Sequence, residues 1–189
     1  MTPSIPVKAP TALPAVLLMA ALGAAPAVAQ NATPAALRTE YLADMKEVEG
    51  KIVSLAEAFA ADKYSWRPVG GGRSVSEVLM HVASEHYVDL PASVGAKPPA
   101  DLNLGTDGGE ILGNLAKVTD KAEVIRHLKA AFAYQKSVLD AADLSSGRTF
   151  GKRNTISYLF TAFVADQHEH LGQLIAYARM NRVVPPWSK

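Results

Sequence analysis

Four long segments of this chain have apolar residues at the spacing of an α-helix. In the first segment, between Thr33 and Ala61, apolar side chains recur every three or four residues. They are Leu37, Tyr41, Met45, Val48, Ile52, Leu55 and Phe59. This period places the apolar side chains on one face of an α-helix, whereas a half-buried strand alternates at every second residue. A helix with one apolar face must bury that face against another element, so the spacing predicts packed helices.

Residues typical of helix starts precede the first two segments. Thr33 is followed by Pro34, and a hydroxyl cap followed by proline favours helix initiation. Ser74 opens the second segment and Glu77 follows three residues later, which is the capping-box pattern. We expect this second helix to run to about Leu90.

Two more long helices follow. We expect the third to begin at Thr119 or Asp120 and to end before the Ser-Ser-Gly sequence at positions 145–147. The fourth is expected to begin near Asn154 or Thr155 and to run to about residue 182.

Prolines and glycines between positions 91 and 109 predict a long connection between the second and third helices. A short helix is expected near its end, around residues 110–117. No segment shows the alternation of a strand. Four long amphipathic helices joined by one long crossover are typical of a four-helix bundle. The predicted fold class is therefore all-α, an up-down four-helix bundle with one long crossover connection.

The first thirty residues have the order of a secretory signal peptide. Lys8 is followed by an apolar stretch from about Ala15 to Ala25, and then by the small-residue triplet Ala27-Val28-Ala29. The apolar stretch is shorter than the roughly 20 residues that span a bilayer, which argues against the alternative of a membrane anchor. We therefore expect a signal peptide at 1–29, a domain at 30–189, and an exported protein, periplasmic or secreted, with no membrane attachment after cleavage.

Composition narrows the classes of function. The net charge is +1, so nothing predicts a nucleic-acid partner. The chain has no cysteine, which excludes thiolate nucleophiles and thiolate metal ligands. A metal site in this chain would have to be built from His, Asp or Glu.

The fourth helix carries polar residues within its apolar face. Projected at 100° per residue, Gln167 and His170 fall inside that face, and Asp166 lies at its margin one turn before His170. His168 points toward solvent. An Asp and a His four residues apart on one helix can bind a single cation, although the same spacing also suits a plain side-chain hydrogen bond.

The second helix carries His81 and His86. Periodicity places His86 near the centre of the apolar face and His81 at its edge, and therefore predicts that His86 is the more buried. His127, on the third helix, is expected to be structural or exposed.

Two stretches of the sequence resemble the DinB-like family of small metal-binding four-helix proteins. They are WRPVGGGRSVSEVLMHVASEH (66–86) and DQHEHLGQLIAYARMNRVVPPWS (166–188). The family pattern is a Trp-x-Pro loop, a Ser-capped second helix ending in His, and a last helix with His-x-x-x-His before Gly-Gln. Tyr-x-Arg and a Pro-Pro end follow the Gly-Gln pair. The resemblance extends from about Leu37 to Pro186.

The resemblance implies one divalent metal, usually zinc or nickel, held by three histidines. Carried onto this chain, the ligands are His81, Asp166 and His170, with Asp166 standing where the family has a histidine. His86 remains the second choice on its helix, and His168 is the nearby substitute for Asp166. A carboxylate in place of an imidazole shifts the preference toward harder cations.

The resemblance also implies hydrolase- or transferase-like chemistry on a small-molecule substrate, and a homodimer. The first hypothesis is thus a divalent-metal-dependent enzyme that uses a metal-activated water, with Glu85 or Glu169 as acid–base partner. The alternative is a non-catalytic bundle that binds a metal or a small ligand. A third hypothesis is a purely structural bundle in which Asp166 and His170 only bond each other.

Overall fold

The computed structural model describes residues 33–188, so the predicted signal peptide at 1–29 lies outside the described residues. Four long helices form the body of the structure. They are α1 (Pro34–Ala58), α2 (Val75–Tyr87), α5 (Lys121–Ala141) and α7 (Val164–Met180). Two shorter helices, α3 (Asp89–Val94) and α4 (Gly108–Leu115), lie in the connection between α2 and α5, and α6 (Thr155–Tyr158) precedes α7. The predicted all-α bundle with a long connection is confirmed.

The helices start where the sequence places caps. The Thr33 hydroxyl accepts from the Ala36 amide at 3.2 Å. Ser74 and Glu77 form both hydrogen bonds of the capping box, at 2.9 and 3.2 Å. Asp120 caps α5. These side chains satisfy amide groups that have no partner within the helix, which explains why the predicted starts are accurate.

The second helix is shorter than expected, and the structure contains a hairpin that the sequence did not predict. The second helix stops at Tyr87 instead of about Leu90, and α3 begins at Asp89. Pro91 accounts for the break, because a proline within one continuous helix would lack a donor and clash with the preceding turn, whereas it is tolerated in the first turn of α3. A two-residue β-hairpin, β1 (Thr149–Phe150) with β2 (Arg153–Asn154), was not expected.

The last helix is also interrupted, by a π-helical turn at Leu159–Phe163. A π turn holds an extra residue, and so shifts the helical phase of the segment before it relative to the segment after it. A regular projection of the sequence at 100° per residue puts Ile156 and Phe160 on one apolar face with Leu171 and Leu174. In the structure Leu171 and Leu174, beyond the turn, are buried in the core, whereas Ile156 and Phe160 are only partly buried.

The order of the four long helices around the bundle positions the site. α1 packs against α5 and α7, and α2 packs against the same two helices. The pairing of α2 with α7 brings together the two segments that carry the candidate histidines. Within residues 33–188, no helix is both long and apolar enough to cross a membrane.

Candidate metal centre

Two histidines from different helices meet at the contact between α2 and α7. The rings of His81 and His170 have centroids 4.9 Å apart and are nearly perpendicular, at 88°. His170 is buried, whereas the side chain of His81 keeps 26% of its surface exposed. His81 therefore forms the solvent side of this pair.

Two carboxylates complete the cluster. Glu85 lies one turn after His81, with Oε1 3.2 Å from His81 Nε2, and Asp166 lies one turn before His170, with Oδ2 3.4 Å from His170 Nε2. One donor atom from each of the four residues lies within 4.8 Å of the other three. The i,i+4 spacing on both helices explains this geometry, because side chains one turn apart share a face.

Asp166 and His170 do not meet each other's need for a hydrogen-bond partner. Asp166 Oδ2 and His170 Nε2 are both shielded from solvent, and neither has a hydrogen-bond partner among residues 33–188. Their 3.4 Å separation lies outside the usual range for a hydrogen bond between nitrogen and oxygen. Buried polar atoms without partners are rare and costly. A cation between these two atoms would satisfy both, which the hypothesis of a purely structural pair does not achieve.

A chain of hydrogen bonds fixes the orientation of the His170 ring. His170 Nδ1 donates to Gln173 Oε1 at 3.1 Å, and Gln173 Nε2 donates to the Tyr177 hydroxyl at 2.9 Å. The hydroxyl donates to the Arg73 carbonyl at 3.1 Å. Because Gln173 offers an acceptor to Nδ1, the proton lies there and the Nε2 lone pair points into the cluster. Such outer partners are typical of metal-binding histidines.

The loop before α2 supplies the last acceptor of that chain. Gly70, Gly71 and Gly72 all have positive φ, at 89°, 99° and 106°, which glycine adopts without steric cost. This run places the Arg73 carbonyl within reach of Tyr177. The Trp66 ring packs edge-on against Tyr177, with centroids 5.1 Å apart. The Trp-Arg-Pro and Gly-rich stretch of the sequence thus supports His170 from outside the cluster.

The electrostatics of the cluster reflect two carboxyl groups placed close together. Burial, followed by the interaction with Asp166, raises the pKa of Glu85 to about 9. Burial, followed by the positive charge of Arg73, lowers the pKa of His81. Without a cation the cluster therefore favours a protonated Glu85 and a neutral His81. A divalent ion bound beside Glu85 would favour release of its proton, because a nearby positive charge stabilises the ionised carboxylate.

The other candidate residues lie elsewhere. His86 is fully buried, as periodicity predicts, and its Nε2 bonds Gln167 Oε1 at 3.2 Å instead of facing the cluster. His168 is half exposed and lies 3.4 Å from Asp44 Oδ2. Glu169 is exposed, so of the two proposed acid–base partners only Glu85 lies in the cluster.

His127 is buried and lies outside the cluster, with its Nε2 3.0 Å from Arg126 Nη2 and its backbone carbonyl accepting from the Tyr87 hydroxyl at 3.0 Å. Sequence reasoning missed Gln173 and Tyr177, although the Gly-Gln and Tyr-x-Arg elements of the family pattern contain them. It noted Gln167 as an inward polar residue but gave it no partner. That partner is Glu85, whose Oε2 accepts from Gln167 Nε2 at 2.5 Å.

The family model of the DinB superfamily matches residues 44–174, which is most of the chain and includes all four cluster residues. This chain belongs to the DinB superfamily. Comparison with curated proteins and with solved structures gives no significant match.

As a DinB-superfamily member, the chain combines two imidazoles with two carboxylates in one cluster. This donor set fits a divalent metal, because imidazole suits zinc and nickel, and carboxylate suits these ions and harder ones. The unpartnered atoms of Asp166 and His170 support the same fit.

Proposed function

We propose that this chain binds one divalent cation through His81, Asp166 and His170, and that it is a metal-dependent enzyme of hydrolase or transferase type. The observation that carries the proposal is the pair of buried, unpartnered atoms, His170 Nε2 and Asp166 Oδ2, beside His81. Three protein ligands are typical of catalytic metal sites.

The chemistry would be that of a Lewis acid with a general base beside it. A divalent cation with an open position lowers the pKa of a bound water or polarises a substrate oxygen. Glu85 is the group of this chain placed to take up and return a proton, because its carboxyl is buried within the cluster and Oε1 lies 3.2 Å from His81. His170 and its hydrogen-bond chain hold the ligand geometry.

A cleft beside His81 would admit a small substrate. It has a volume of about 230 Å³ and lies between α2 and α4, with Met80, Ser84 and Leu112 among its lining residues. Arg73 contributes a positive charge to its wall, whereas the neighbouring Glu77 is already paired with Arg67. These features favour a small, partly apolar molecule, with any anionic group directed toward Arg73.

A screen of ester, amide and phosphate substrates tests the enzymatic proposal. Each substrate is assayed with the metal-loaded protein, after chelator treatment, and after the metal is restored. We expect a turnover that the chelator abolishes, that metal restores and that Glu85→Gln reduces. Turnover that survives both the chelator and His170→Ala would contradict the proposal.

A non-catalytic metal-binding protein is the second candidate, and one observation favours it. Glu85 places a fourth donor in the cluster, and four protein ligands around a tetrahedral ion leave no open position. The two candidates differ in ligand exchange. Azide added to the Co²⁺-loaded protein should change its visible spectrum if a position is open, and should leave it unchanged if all four are filled by protein.

We also infer that the protein is exported, on the residues of the leader alone. Lys8, the apolar stretch and the Ala27-Val28-Ala29 triplet support this proposal. Mass spectrometry of the protein recovered outside the cytoplasm is expected to give a mature start at Gln30. An intact leader on that material would contradict it.

A further inference from the structure

His86 and Gln167 are buried polar residues that the proposed metal chemistry does not use. Both are completely shielded from solvent. The ring of His86 lies against two aromatic rings, with its centroid 4.5 Å from Phe132 and 5.1 Å from Phe163. A buried imidazole and a buried amide both need hydrogen-bond partners, since losing those bonds with water costs free energy.

The hydrogen bonds of the Gln167 amide have a fixed direction. Its Nε2 donates to Glu85 Oε2 at 2.5 Å, and its Oε1 accepts from His86 Nε2 at 3.2 Å. With the amide nitrogen toward Glu85 and the amide oxygen toward His86, Glu85 Oε2 acts as an acceptor, which it can do whether or not Oε1 carries a proton. His86 then carries its proton on Nε2.

The same arrangement assigns different tasks to the two oxygens of Glu85. Oε2 is engaged by Gln167, while Oε1 lies 3.2 Å from His81 Nε2 within the cluster. We infer that Gln167, oriented by His86, is a positioning residue that leaves Glu85 only Oε1 to present to the cation or to its bound water. This inference rests on the proposed metal site.

Each cluster carboxylate is followed in the sequence by a residue of the buried His86–Gln167 bond. Glu85 and His86 are consecutive on α2, and Asp166 and Gln167 are consecutive on α7. The first member of each pair belongs to the cluster, and the second is completely buried in the core. Because successive helical residues point about 100° apart, one contact between α2 and α7 supports both the cluster and the buried bond beneath it.

Titration of the metal-free protein with Co²⁺ tests this inference through affinity and visible spectrum. Gln167→Met keeps the length of the side chain and removes the donor to Glu85. We expect Co²⁺ to bind about 10- to 100-fold more weakly, with a changed absorption spectrum because Glu85 is free to turn. His86→Leu, which removes the donor to Gln167, should act in the same direction, and His86→Gln should restore affinity and spectrum because it can again donate to Gln167.

Thr155→Val is the matched control, because it removes a buried hydrogen bond outside the cluster. Its hydroxyl is buried and donates to the Ser93 carbonyl at 2.7 Å, and neither residue belongs to the cluster. It should lower the melting temperature without changing Co²⁺ affinity. Wild-type affinity and spectrum in Gln167→Met would overturn the inference. If Gln167→Met does not fold, equal affinities in His86→Leu and His86→Gln would overturn it. A wild-type protein that binds no Co²⁺ would overturn the metal site itself, and this inference with it.

Discussion

His81 and His170 face each other across the contact between α2 and α7, with ring centroids 4.9 Å apart and ring planes at 88°. Each histidine has a carboxylate one turn away on its own helix, Glu85 for the first and Asp166 for the second. The site therefore depends on two helices docking in one register. Neither helix holds more than one imidazole in the cluster.

Removing either imidazole should weaken metal binding strongly. Structural zinc sites bind with about 10–16 kcal/mol shared among four ligands, so loss of one ligand is expected to lower affinity by about 100-fold or more. His81→Ala and His170→Ala are compared with His168→Ala, whose side chain is half exposed and outside the cluster. Competition with a chromophoric chelator gives the affinities. Equal affinities in all three variants would refute the assigned ligands.

Asp166→His should keep the metal and change the preference among metals. It creates the three-histidine ligand set that the sequence resemblance implies, and imidazole favours zinc and nickel over manganese more than carboxylate does. We expect the ratio of Zn²⁺ to Mn²⁺ affinity to rise in this variant, whereas Asp166→Ala should weaken both ions. An unchanged ratio in Asp166→His would show that Asp166 does not contact the cation.

The metal-free protein should lose stability as the pH rises, because of Glu85. Its pKa is about 9 in the folded chain against an ordinary value of 4.5. Because folding raises this pKa, the contribution of Glu85 to the free energy of unfolding is fully present below about pH 4.5. That contribution is lost as the pH rises through 9.

Glu85→Gln removes this dependence, because the amide never ionises. We expect the variant to be about 1–3 kcal/mol more stable than the wild type at pH 9, the cost of a buried group left without compensation, and to bind metal less tightly. Urea unfolding with chelator present, at pH 5 and pH 9, measures the difference. Parallel pH profiles for the two proteins would contradict this assignment.

His86 should make the fold sensitive to acid. Burial lowers its pKa to about 3, against an ordinary value of 6.5, despite the opposing hydrogen bond with Gln167. Because folding lowers this pKa, the contribution of His86 to the free energy of unfolding is fully present above about pH 6.5. That contribution is lost as the pH falls toward 3. The expected slope is about 1.4 kcal/mol for each pH unit in which only the unfolded chain is protonated.

His86→Gln is the comparison for this effect, since glutamine keeps a donor and does not titrate. Its unfolding free energy should fall less than that of the wild type between pH 6 and pH 4. The carboxylates contribute equally to both proteins and cancel in the difference. A wild-type slope in His86→Gln would show that His86 is already charged or exposed in the folded state.

The helices were predictable because their signals are local. Thr33, Ser74 and Asp120 cap helices through their own side chains, and the three-to-four spacing marks the buried faces. The order of the helices around the bundle depends on contacts between distant segments, which no local pattern contains. The π turn at Leu159–Phe163 also escaped prediction, because a projection at 100° per residue assumes a regular helix.

The site was predictable only in part, for a related reason. Periodicity placed His170 inward with Asp166 beside it, and the cluster contains both. Periodicity also identified His86 as the more buried histidine of its helix, and the structure confirms this. The more buried histidine is not, however, the one that belongs to the cluster. The family resemblance pointed to His81 instead, and the edge of an apolar face is where two packed helices meet.

Metal analysis of the tag-free protein, before and after removal of both histidines, measures whether α2 and α7 hold a cation between them. We expect about one divalent ion per chain in the wild type, and none in a folded His81→Ala/His170→Ala variant. A wild-type protein that takes up no divalent ion when zinc or nickel is supplied, or a double variant that retains the ion, would contradict this expectation.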